Sequence, residues 1–374
     1  MSREPVKILH ILTEKTAGGA GRQLSYLISE SDGSRFSHAV VLPEGAESAE
    51  RLRAAGAEVI FCPGLRGSFC PRAARALFRI IKSNSPDIVH THSSFTGRLA
   101  ARRARVPATV MTKHCSDMPP KPLTRFPLRL FSRLHLSLTA DAAIATDESA
   151  AAALIAEGMP RNRIKLIYNG SPRMRETSAE EREELRRRLG IPDGTICVGL
   201  FSRLEPAKGA LQFVQAAALC LAQADGIFFI VCGKGSLEQT MREAAERYGA
   251  AGRIIFAGYA SDPAPYMNIC SVIVSPSLGN ETSSLSLCEG MSLGLVPVVT
   301  DVGGSARLIG GAGRVVPPDD PPALADAILE LCRDPDLCRI FSDRAPRRYA
   351  ERCTSARMSE LTHLLYEQLL EKKS

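Results

Sequence analysis

Two glutamates stand on either side of a serine-rich segment. Glu281 stands in a polar run and Glu289, eight positions later, in an apolar one. The preceding run SVIVSPS (271–277) is typical of a buried strand, and a helix is expected to begin near Ser283 or Ser284. The first turn of such a helix presents backbone N–H groups and the positive end of its dipole to an anion. The two carboxylates could accept hydrogen bonds from hydroxyl groups, such as those of a sugar and a ribose.

A purely local role would also explain the second glutamate. The stretch Ser286-Leu-Cys-Glu289 fits a capping box, in which a serine hydroxyl and a glutamate carboxylate satisfy backbone N–H groups at the start of a helix. That alternative does not explain Glu281, and both interpretations stay open at this point.

Two cations follow another strand-like run. In FSRLEPAKG (201–209), Arg203 and Lys208 lie five residues apart around a proline, between a strand and a helix. Arginine offers a fork of N–H donors and lysine a compact positive charge, so the pair could converge on a diphosphate. The alternative is an ordinary loop with two solvated cations, and this stretch alone does not decide between them.

A glycine-rich loop precedes the first helical pattern. In KILHILTEKTAGGAGRQL (7–24), Gly18, Gly19 and Gly21 follow a strand-like run and precede a helix. Glycines there allow a tight turn and a close approach of the backbone to a phosphate at a helix N-terminus. Leu24 stands where the dinucleotide-binding fingerprint has its third glycine, so a plain glycine turn is the alternative.

The elements that position these residues alternate between apolar runs and helical patterns. The predicted strands are 7–12, 37–43, 57–63, 87–92, 108–114, 141–146, 163–168, 196–204, 226–233, 253–259, 271–277 and 296–301. Continuous apolar strands separated by helices indicate parallel sheets covered on both faces. The expected fold class is α/β, with two doubly wound Rossmann-like domains and a cleft at the carboxyl ends of their strands.

The boundary between the domains is expected where this alternation pauses. Residues 170–195 are polar and charged, and they are predicted to form a linker and one solvated helix. The predicted domains are therefore 1–172 and 173–355. An amphipathic helix over 356–374, with Met358, Leu361, Leu364, Leu365 and Leu369 near one face, is expected to pack back on the first domain.

Composition limits the classes of protein that fit. The chain of 374 residues is 45% hydrophobic, which suits two globular domains. Its eleven cysteines include no pair at CxxC spacing, and no run suits a signal peptide or a membrane span. These features favour a cytoplasmic protein with reduced thiols.

The charge is concentrated in the first half. Residues 1–172 carry 24 Lys and Arg against 14 Asp and Glu, whereas the remainder carries 23 against 26. The segment 121–138 interleaves arginines with apolar residues, which fits either a basic helix lying on anionic lipid or a helix with a solvated basic face. No nucleic-acid recognition motif is present.

The ordered set of motifs resembles the retaining glycosyltransferases of family 4, which have the GT-B fold. The set comprises the paired glutamates before GLVPVVTDVGG (294–304), the upstream Arg203 and Lys208-Gly, the N-terminal glycine loop, DIVHTH (87–92) and IYNG (167–170). Each motif is weak alone, but the order is specific and spans nearly the whole chain.

The resemblance implies a role for each matching position. Arg203, Lys208 and the amides around Ser283, Ser284 and Leu285 would hold the diphosphate of a nucleotide sugar. Glu281 would contact hydroxyls of the donated sugar, and Glu289 the ribose. The remaining positions would surround the same donor: Gly18 and Gly19 by the sugar phosphate, His114 near the reacting carbon and Tyr259 at the base.

The resemblance also has departures. Thr282 and Ser283 follow the first glutamate, where the family often has a bulky residue and a glycine, and Cys288 replaces a usual leucine. These changes remove no charged group, but they leave the pocket for the donor sugar undefined.

Two motifs could suggest a metal ion. His90 and His92 share one face of a strand, but the sequence shows no third ligand, so they are interpreted as strand-end residues near the acceptor. Asp334-Pro-Asp336 has the spacing by which other glycosyltransferases bind a metal-nucleotide, yet it lies between two late helical patterns and is interpreted as a turn. No metal and no cofactor are expected, because cations and helix dipoles can stabilise a diphosphate.

The expected function is metal-independent transfer of a sugar, with retention, from a UDP- or GDP-linked donor to a saccharide or lipid-linked acceptor. The second domain would bind the donor and the first the acceptor. The alternatives are a sugar-nucleotide epimerase of similar architecture, which needs no acceptor, and a non-catalytic protein that binds nucleotide sugars. A location on the inner face of the cell membrane follows only if 121–138 binds lipid.

Overall fold

The computed structural model describes residues 4–16, 18–114, 135–279 and 281–372. The chain divides into two compact units. Unit 1 comprises Met1–Gly170 and Ser355–Ser374, and unit 2 comprises Ser171–Thr354. The divisions lie within two residues of the boundaries that the pause in the sequence pattern predicts.

Unit 1 is built on a sheet of seven parallel strands. They are β1 Val6–Leu12, β2 Phe36–Pro43, β3 Glu58–Cys62, β4 Ile88–His92, β5 Ala108–Lys113, β6 Ala142–Ala145 and β7 Ile164–Leu166. Their spatial order is β3-β2-β1-β4-β5-β6-β7. The order reverses between β1 and β4, and doubly wound sheets bind ligands outside the carboxyl ends of the strands at such a switch point.

Unit 2 repeats this layout with six parallel strands. They are β8 Ile196–Phe201, β9 Ile227–Cys232, β10 Ile254–Gly258, β11 Val272–Ser275, β12 Val296–Thr300 and β13 Arg314–Val316. Their order is β10-β9-β8-β11-β12-β13, so the switch point lies between β8 and β11. Every predicted strand forms, whereas β13 is absent from the prediction because its three residues are too short a run to stand out.

Helices cover both faces of the sheets. They are α1 Gly19–Ser29, α2 Ala49–Ala54, α3 Pro71–Asn84, α4 Phe95–Ala104, α5 Glu148–Ala156, α6 Ala179–Arg188, α7 Ala210–Leu221, α8 Glu238–Arg247, α9 Ala264–Asn268, α10 Leu285–Ser292, α11 Ser305–Ile309, α12 Pro321–Arg333, α13 Pro335–Arg352 and α14 Ser355–Glu371. The predicted solvated helix in the linker is α6, which begins with a capping box between Ser178 and Glu181. The α/β class and the two doubly wound sheets are confirmed.

The terminal helix α14 packs in unit 1 against α1. Met358, Leu365 and Leu369 are buried as the amphipathic pattern predicts, together with Tyr366. The prediction for Leu364 is wrong, because its side chain is 44% exposed. The buried residues recur at helical spacing, and Leu364 falls outside that stripe.

The predicted basic helix at 121–138 lies mostly outside the described residues, and only 135–138 belong to a described helical segment. Within the described ranges, none of the helices combines the length and the apolar character that a bilayer-spanning helix requires.

Candidate active site

The structure brings Lys208 and Glu281 together at the carboxyl edge of the unit 2 sheet. Lys208 Nζ donates a hydrogen bond to Glu281 Oε2 at 2.7 Å. The lysine side chain is 21% exposed and the glutamate side chain 7%. The sequence predicts both residues as donor-binding but gives no sign that they touch, since 73 positions separate them.

Local backbone geometry holds Lys208 in this place. A 3-10 helix over Pro206–Lys208 follows β8, and Gly209 then adopts a left-handed conformation with φ 66°. A Cβ on Gly209 would lie 1.8 Å from the carbonyl oxygen of Pro276, which follows β11. Glycine is therefore required where the loop after β8 meets the loop after β11.

Glu281 is held from two other sides. Ser277 Oγ donates a hydrogen bond to Glu281 Oε2 at 2.6 Å. Gly303 has φ 58°, and a Cβ there would lie 1.7 Å from the carbonyl oxygen of Glu281. The glycine pair after β12 thus lets the backbone of the following loop lie against the backbone of Glu281.

The helix after Glu281 begins as predicted. Ser284 is the N-cap of α10, and its side chain makes no capping hydrogen bond. Ser286 lies inside the helix, so the capping-box alternative for Glu289 is wrong. The first turn, which starts at Leu285, therefore keeps backbone N–H groups that no side chain of the cap satisfies.

Glu289 lies on the helix that follows Glu281. It sits in the second turn of α10 and is fully buried, with 0% of its surface exposed. Burial of a carboxylate is costly unless polar groups surround it, so Glu289 is part of the interior beneath the site. Its contact with a ribose stays a prediction.

Arg203 and Tyr259 stand at the exposed edge of unit 2. Arg203 follows the end of β8 and is exposed. The ring of Tyr259, directly after β10, is 51% exposed, and Lys234 Nζ lies 5.1 Å from its centroid. An exposed ring with a cation beside it can stack on a nucleobase.

Lys234 is a candidate that the sequence prediction missed. It follows β9, and its carbonyl oxygen accepts a hydrogen bond from the backbone N–H of Leu204 at 3.0 Å. The loops after β8 and β9 are thereby joined, and the backbone of this third cation lies beside Leu204, the residue after Arg203. The signal was available, because Gly233-Lys234-Gly235 directly follows a strand.

In unit 1 the glycine loop opens α1 as predicted. Gly18 is the N-cap of α1 and Gly19 its first residue. A Cβ on Gly18 would lie 2.1 Å from a carboxylate oxygen of Glu14. The carboxylate of Glu14 therefore lies at the helix N-terminus, where the sequence predicts a phosphate.

His114 directly follows β5 and is partly buried. Its Nε2 and His92 Nδ1 share a hydrogen bond of 2.8 Å. Burial lowers the pKa of His114 to about 4, so the imidazole is neutral near pH 7. A neutral imidazole has one N–H donor and one basic nitrogen, as a proton acceptor requires.

The structure corrects both of the metal interpretations. A third histidine does accompany His90 and His92: one nitrogen each from His10, His90 and His92 lies within 4.8 Å of the others. Asp334 is the N-cap of α13, and its carboxylate accepts a hydrogen bond from Leu337 N. The Asp334-Pro-Asp336 motif is therefore the start of a helix and not the predicted turn.

These features define a class of protein. Two doubly wound parallel sheets, one of which carries cations, a carboxylate and a helix N-terminus at its carboxyl edge, form the GT-B architecture of glycosyltransferases. Residues 17–172 match the family described as Glycosyltransferase Family 4, and residues 181–348 match the family described as Glycosyl transferases group 1.

Individual relatives agree with these matches. The 2-deoxystreptamine N-acetyl-D-glucosaminyltransferase of Streptomyces fradiae is 30% identical over 296 residues, which cover 74% of this chain and 70% of that protein. The putative glycosyltransferase EpsD of Bacillus subtilis is 29% identical over 301 residues, covering 76% and 77%. The structure of Anabaena HepE in complex with UDP-glucose superposes with a TM-score of 0.83 at 21% identity, covering 97% of this chain and 99% of that one. The chain belongs to glycosyltransferase family 4 and is a glycosyltransferase.

Proposed function

We propose that this glycosyltransferase transfers a sugar, with retention and without a metal ion, from a UDP-sugar to a saccharide or lipid-linked acceptor. The donor binds to unit 2 and the acceptor to unit 1. Lys208, paired with Glu281 beside the N-terminus of α10, is the single observation that carries this proposal.

The charges of the site suit a departing nucleoside diphosphate. Arg203 and Lys208 provide positive charge, and the first turn of α10 provides oriented N–H groups. Fixed donors of this kind stabilise charge that develops on a leaving group. Because these residues can supply the stabilisation, the proposed reaction needs no metal ion.

The position of Glu281 suits recognition of a sugar. Glu281 accepts hydrogen bonds from Lys208 and Ser277 through Oε2. A carboxylate has about four lone-pair sites on its two oxygens, so it can accept from sugar hydroxyls as well as from protein donors. The bond to Lys208 fixes its rotamer in advance. Glu281 therefore selects and orients the donated sugar, while Lys208 links it to the diphosphate.

The names of similar proteins support the choice of donor and acceptor class. Anabaena HepE has been solved in complex with UDP and with UDP-glucose. The UDP-Gal:alpha-D-GlcNAc-diphosphoundecaprenol alpha-1,3-galactosyltransferase of Escherichia coli is 29% identical over 63% of this chain. A UDP-sugar and a saccharide carried on a lipid diphosphate are therefore the first substrates to test, as in the synthesis of a surface polysaccharide.

The proposed step is balanced within the substrates. The bond between the anomeric carbon and the diphosphate oxygen breaks, and a bond from the acceptor oxygen to that carbon forms on the same face. The acceptor's proton passes to an oxygen of the departing phosphate. The products are UDP and a glycoside with the anomeric configuration of the donor.

Release of UDP tests the proposal. The enzyme is incubated with a panel of UDP- and GDP-sugars and with short lipid-diphosphate saccharides, with and without EDTA. Lys208→Ala should lower turnover by about a hundredfold or more. The exposed cation Arg187 on α6, changed to alanine, is the matched control and should leave turnover unchanged.

The remaining outcomes separate the alternatives. NMR of the product gives the anomeric configuration, and inversion would contradict the mechanism. Loss of activity in EDTA that Mg²⁺ restores would contradict metal independence. A new sugar nucleotide formed from donor alone would indicate an epimerase, and unchanged turnover of Lys208→Ala would remove the proposed role of the pair.

A further inference from the structure

Six of the seven histidines of the chain form one cluster inside unit 1. Five come from four adjacent strands, with His38 on β2, His10 on β1, His90 and His92 on β4, and His114 after β5. The register of these strands pairs even-numbered residues with even-numbered ones. The five histidines all have even numbers, so they lie on one face of the sheet, the face that α14 covers. The sixth, His363, lies on α14.

Five of these histidines and one serine form a single hydrogen-bonded line. Nε2 of His114 meets Nδ1 of His92 at 2.8 Å, and Nε2 of His92 meets Nδ1 of His10 at 3.4 Å. Nε2 of His10 then meets Nδ1 of His38 at 3.0 Å.

Ser31 continues the line to the terminal helix. Its hydroxyl lies 2.8 Å from Nε2 of His38 and 2.8 Å from Nε2 of His363. His90 stands beside the line and stacks on His92, with centroids 4.7 Å apart. Its own nitrogens contact Tyr366 and Thr112.

The imidazoles of the line are neutral at physiological pH. Burial lowers the pKa of His38 to about 3 and that of His363 to about 4. Burial and the neighbouring rings also hold the pKa values of His10 and His92 well below the usual value. A neutral imidazole has one donor and one acceptor, so every link along the line must point the same way.

The end of the line at α14 decides its direction. The hydroxyl of Ser359 donates to the carbonyl oxygen of Leu27 at 3.1 Å, so towards His363 Nδ1, at 3.4 Å, it can only accept. His363 therefore carries its proton on Nδ1. The hydroxyl of Ser31 has one proton, which can go to Nε2 of His363 at 2.8 Å or to the carbonyl oxygen of Leu27 at 3.3 Å. With the proton on either of these acceptors, Ser31 can only accept from His38.

The direction then propagates to the other end. Ser31 accepts from His38 Nε2–H, and His38 accepts from His10. His10 in turn accepts from His92, and His92 accepts from the Nε2–H of His114. Consecutive hydrogen bonds in a low-dielectric interior polarise one another, so each bond is stronger when all of them point the same way.

We propose that His92, His10 and His38 are positioning residues that, with Ser31 and His363, fix His114 as its Nε2–H tautomer and leave Nδ1 as its basic nitrogen. The assignment of the tautomer stands on the hydrogen bonds between these buried, neutral rings. Only its use, in presenting Nδ1 of His114 to the acceptor, rests on the proposed function.

The test reads the tautomer directly. Protein without a polyhistidine tag is prepared with ¹⁵N-labelled histidine rings, and His114 is assigned by its loss in His114→Gln. In the wild type, Nδ1 of His114 should show the shift of an unprotonated nitrogen near pH 7. Ser31→Ala removes the oxygen between His38 and His363, so both directions become allowed and the shifts of His114 should move towards the average of the two tautomers.

Two further variants keep the test decisive. Ser29→Ala removes a hydroxyl from the last residue of α1, two positions before Ser31. That hydroxyl donates to the carbonyl oxygen of Tyr26, so all shifts of the line should stay unchanged. His38→Asn places an amide, which can donate or accept, beside His10 and should release the direction while it keeps a polar partner there. If Ser31→Ala fails to fold, this variant supplies the same readout.

Activity gives the second readout. If His114 acts through Nδ1, kcat of Ser31→Ala should fall in proportion to the Nε2–H fraction, about twofold for equal populations, while KM for the donor is unchanged. A change in tautomer with no change in kcat would uphold the positioning chain and remove His114 from the proposed transfer step.

Three results would overturn the proposal itself. The first is a wild-type His114 protonated at Nδ1. The second is a wild-type tautomer that persists in folded Ser31→Ala and His38→Asn. The third is movement of the His10 and His92 resonances on addition of one equivalent of Zn²⁺, because coordinated nitrogens could not bond to each other.

Discussion

The two units share a strand order but differ in what lies at their switch points. In unit 1, His10 pairs in register with His90 across β1 and β4. In unit 2 the corresponding strands β8 and β11 place Val198 beside Val272 and Leu200 beside Val274. Residues 171–354 contain no histidine. Unit 1 therefore has titratable histidines at its switch point, whereas unit 2 has aliphatic side chains there and places the cations Arg203 and Lys208 at the carboxyl edge of its sheet.

One strand topology thus supports two kinds of site. Charges at a sheet edge can meet a charged ligand with little desolvation of the protein. Titratable groups in an interior must stay neutral and bonded to each other. The expected consequence is that the units respond differently to pH, to backbone changes and to removal of charges.

The largest expected difference between the units is acid sensitivity. The histidines of unit 1 have lowered pKa values, about 3 for His38 and His90 and about 4 for His114 and His363. Below pH 6.5 the unfolded chain binds protons that the folded chain excludes, so stability falls as pH falls from 6.5 to about 4. Each histidine contributes up to roughly 1.4 kcal/mol per pH unit, and several together exceed the stability of a typical domain within about two units.

Hydrogen exchange measured by mass spectrometry at pH 7, 6, 5 and 4, corrected for intrinsic rates, resolves the units. Peptides from 4–114 and 355–372 should lose protection near pH 5, while those from 171–354 stay protected. Loss of protection in both units at the same pH would contradict the expected difference in acid sensitivity between them.

The second expected effect is confined to unit 2. Gly303→Ala puts a Cβ 1.7 Å from the backbone of Glu281 at φ 58°, an overlap that no side-chain rotation relieves. The free energy of unfolding should fall by about 2–4 kcal/mol. The variant should also lose UDP release, because Glu281 is displaced. Gly311→Ala, with φ 81° and no atom within 4 Å of its Cβ, is the control. Its free energy of unfolding should fall by only about 1–2 kcal/mol, and it should still release UDP. Urea unfolding followed by circular dichroism measures both.

The third expected effect sharpens the description of the edge site. Lys208→Ala removes the cation that pairs with the carboxylate of Glu281. The charge of that nearly buried carboxylate is then stabilised only by neutral polar groups. A double-mutant cycle with Glu281→Gln should give a coupling of about 1–3 kcal/mol in the free energy of unfolding. The exposed pair Arg187 and Glu184 should give less than about 1 kcal/mol. Equal couplings in the two cycles would mean that the edge pair is as solvated as a surface pair.

The smallest expected effect tests whether the units unfold independently. Ser178→Ala removes the capping box of α6 and should lower the stability of unit 2 by about 1 kcal/mol. Ser178→Asp, which keeps a side-chain acceptor, should restore it. Exchange rates in unit 1 should not move in either variant, and a matching rise there would show that the two units unfold together.

The sequence predicts the strands and the position of α10 because apolar runs and helix starts are local signals. It also finds Glu281 and Lys208 as single residues. It does not show that they are bonded, since their distance depends on β8 and β11 being neighbours. The tight approach of Gly303 to Glu281 is hidden for the same reason.

The histidine cluster illustrates the limit most clearly. Even spacing places His90 and His92 on one face, which is a local property. That His10 stands beside them depends on β1 pairing with β4, although 80 positions separate His10 from His90. The missing third histidine was therefore present in the sequence, but only the strand order connects it to the other two.

The return of α14 to unit 1 has a consequence for how the chain is made. Unit 2 is continuous from Ser171 to Thr354, whereas unit 1 lacks its covering helix until residues after Ser355 have been synthesised. Until then the face of the sheet that carries the histidines is exposed to water, and its imidazoles can bind protons. Unit 2 can therefore complete its interior on the ribosome before unit 1, because unit 1 waits until α14 has emerged.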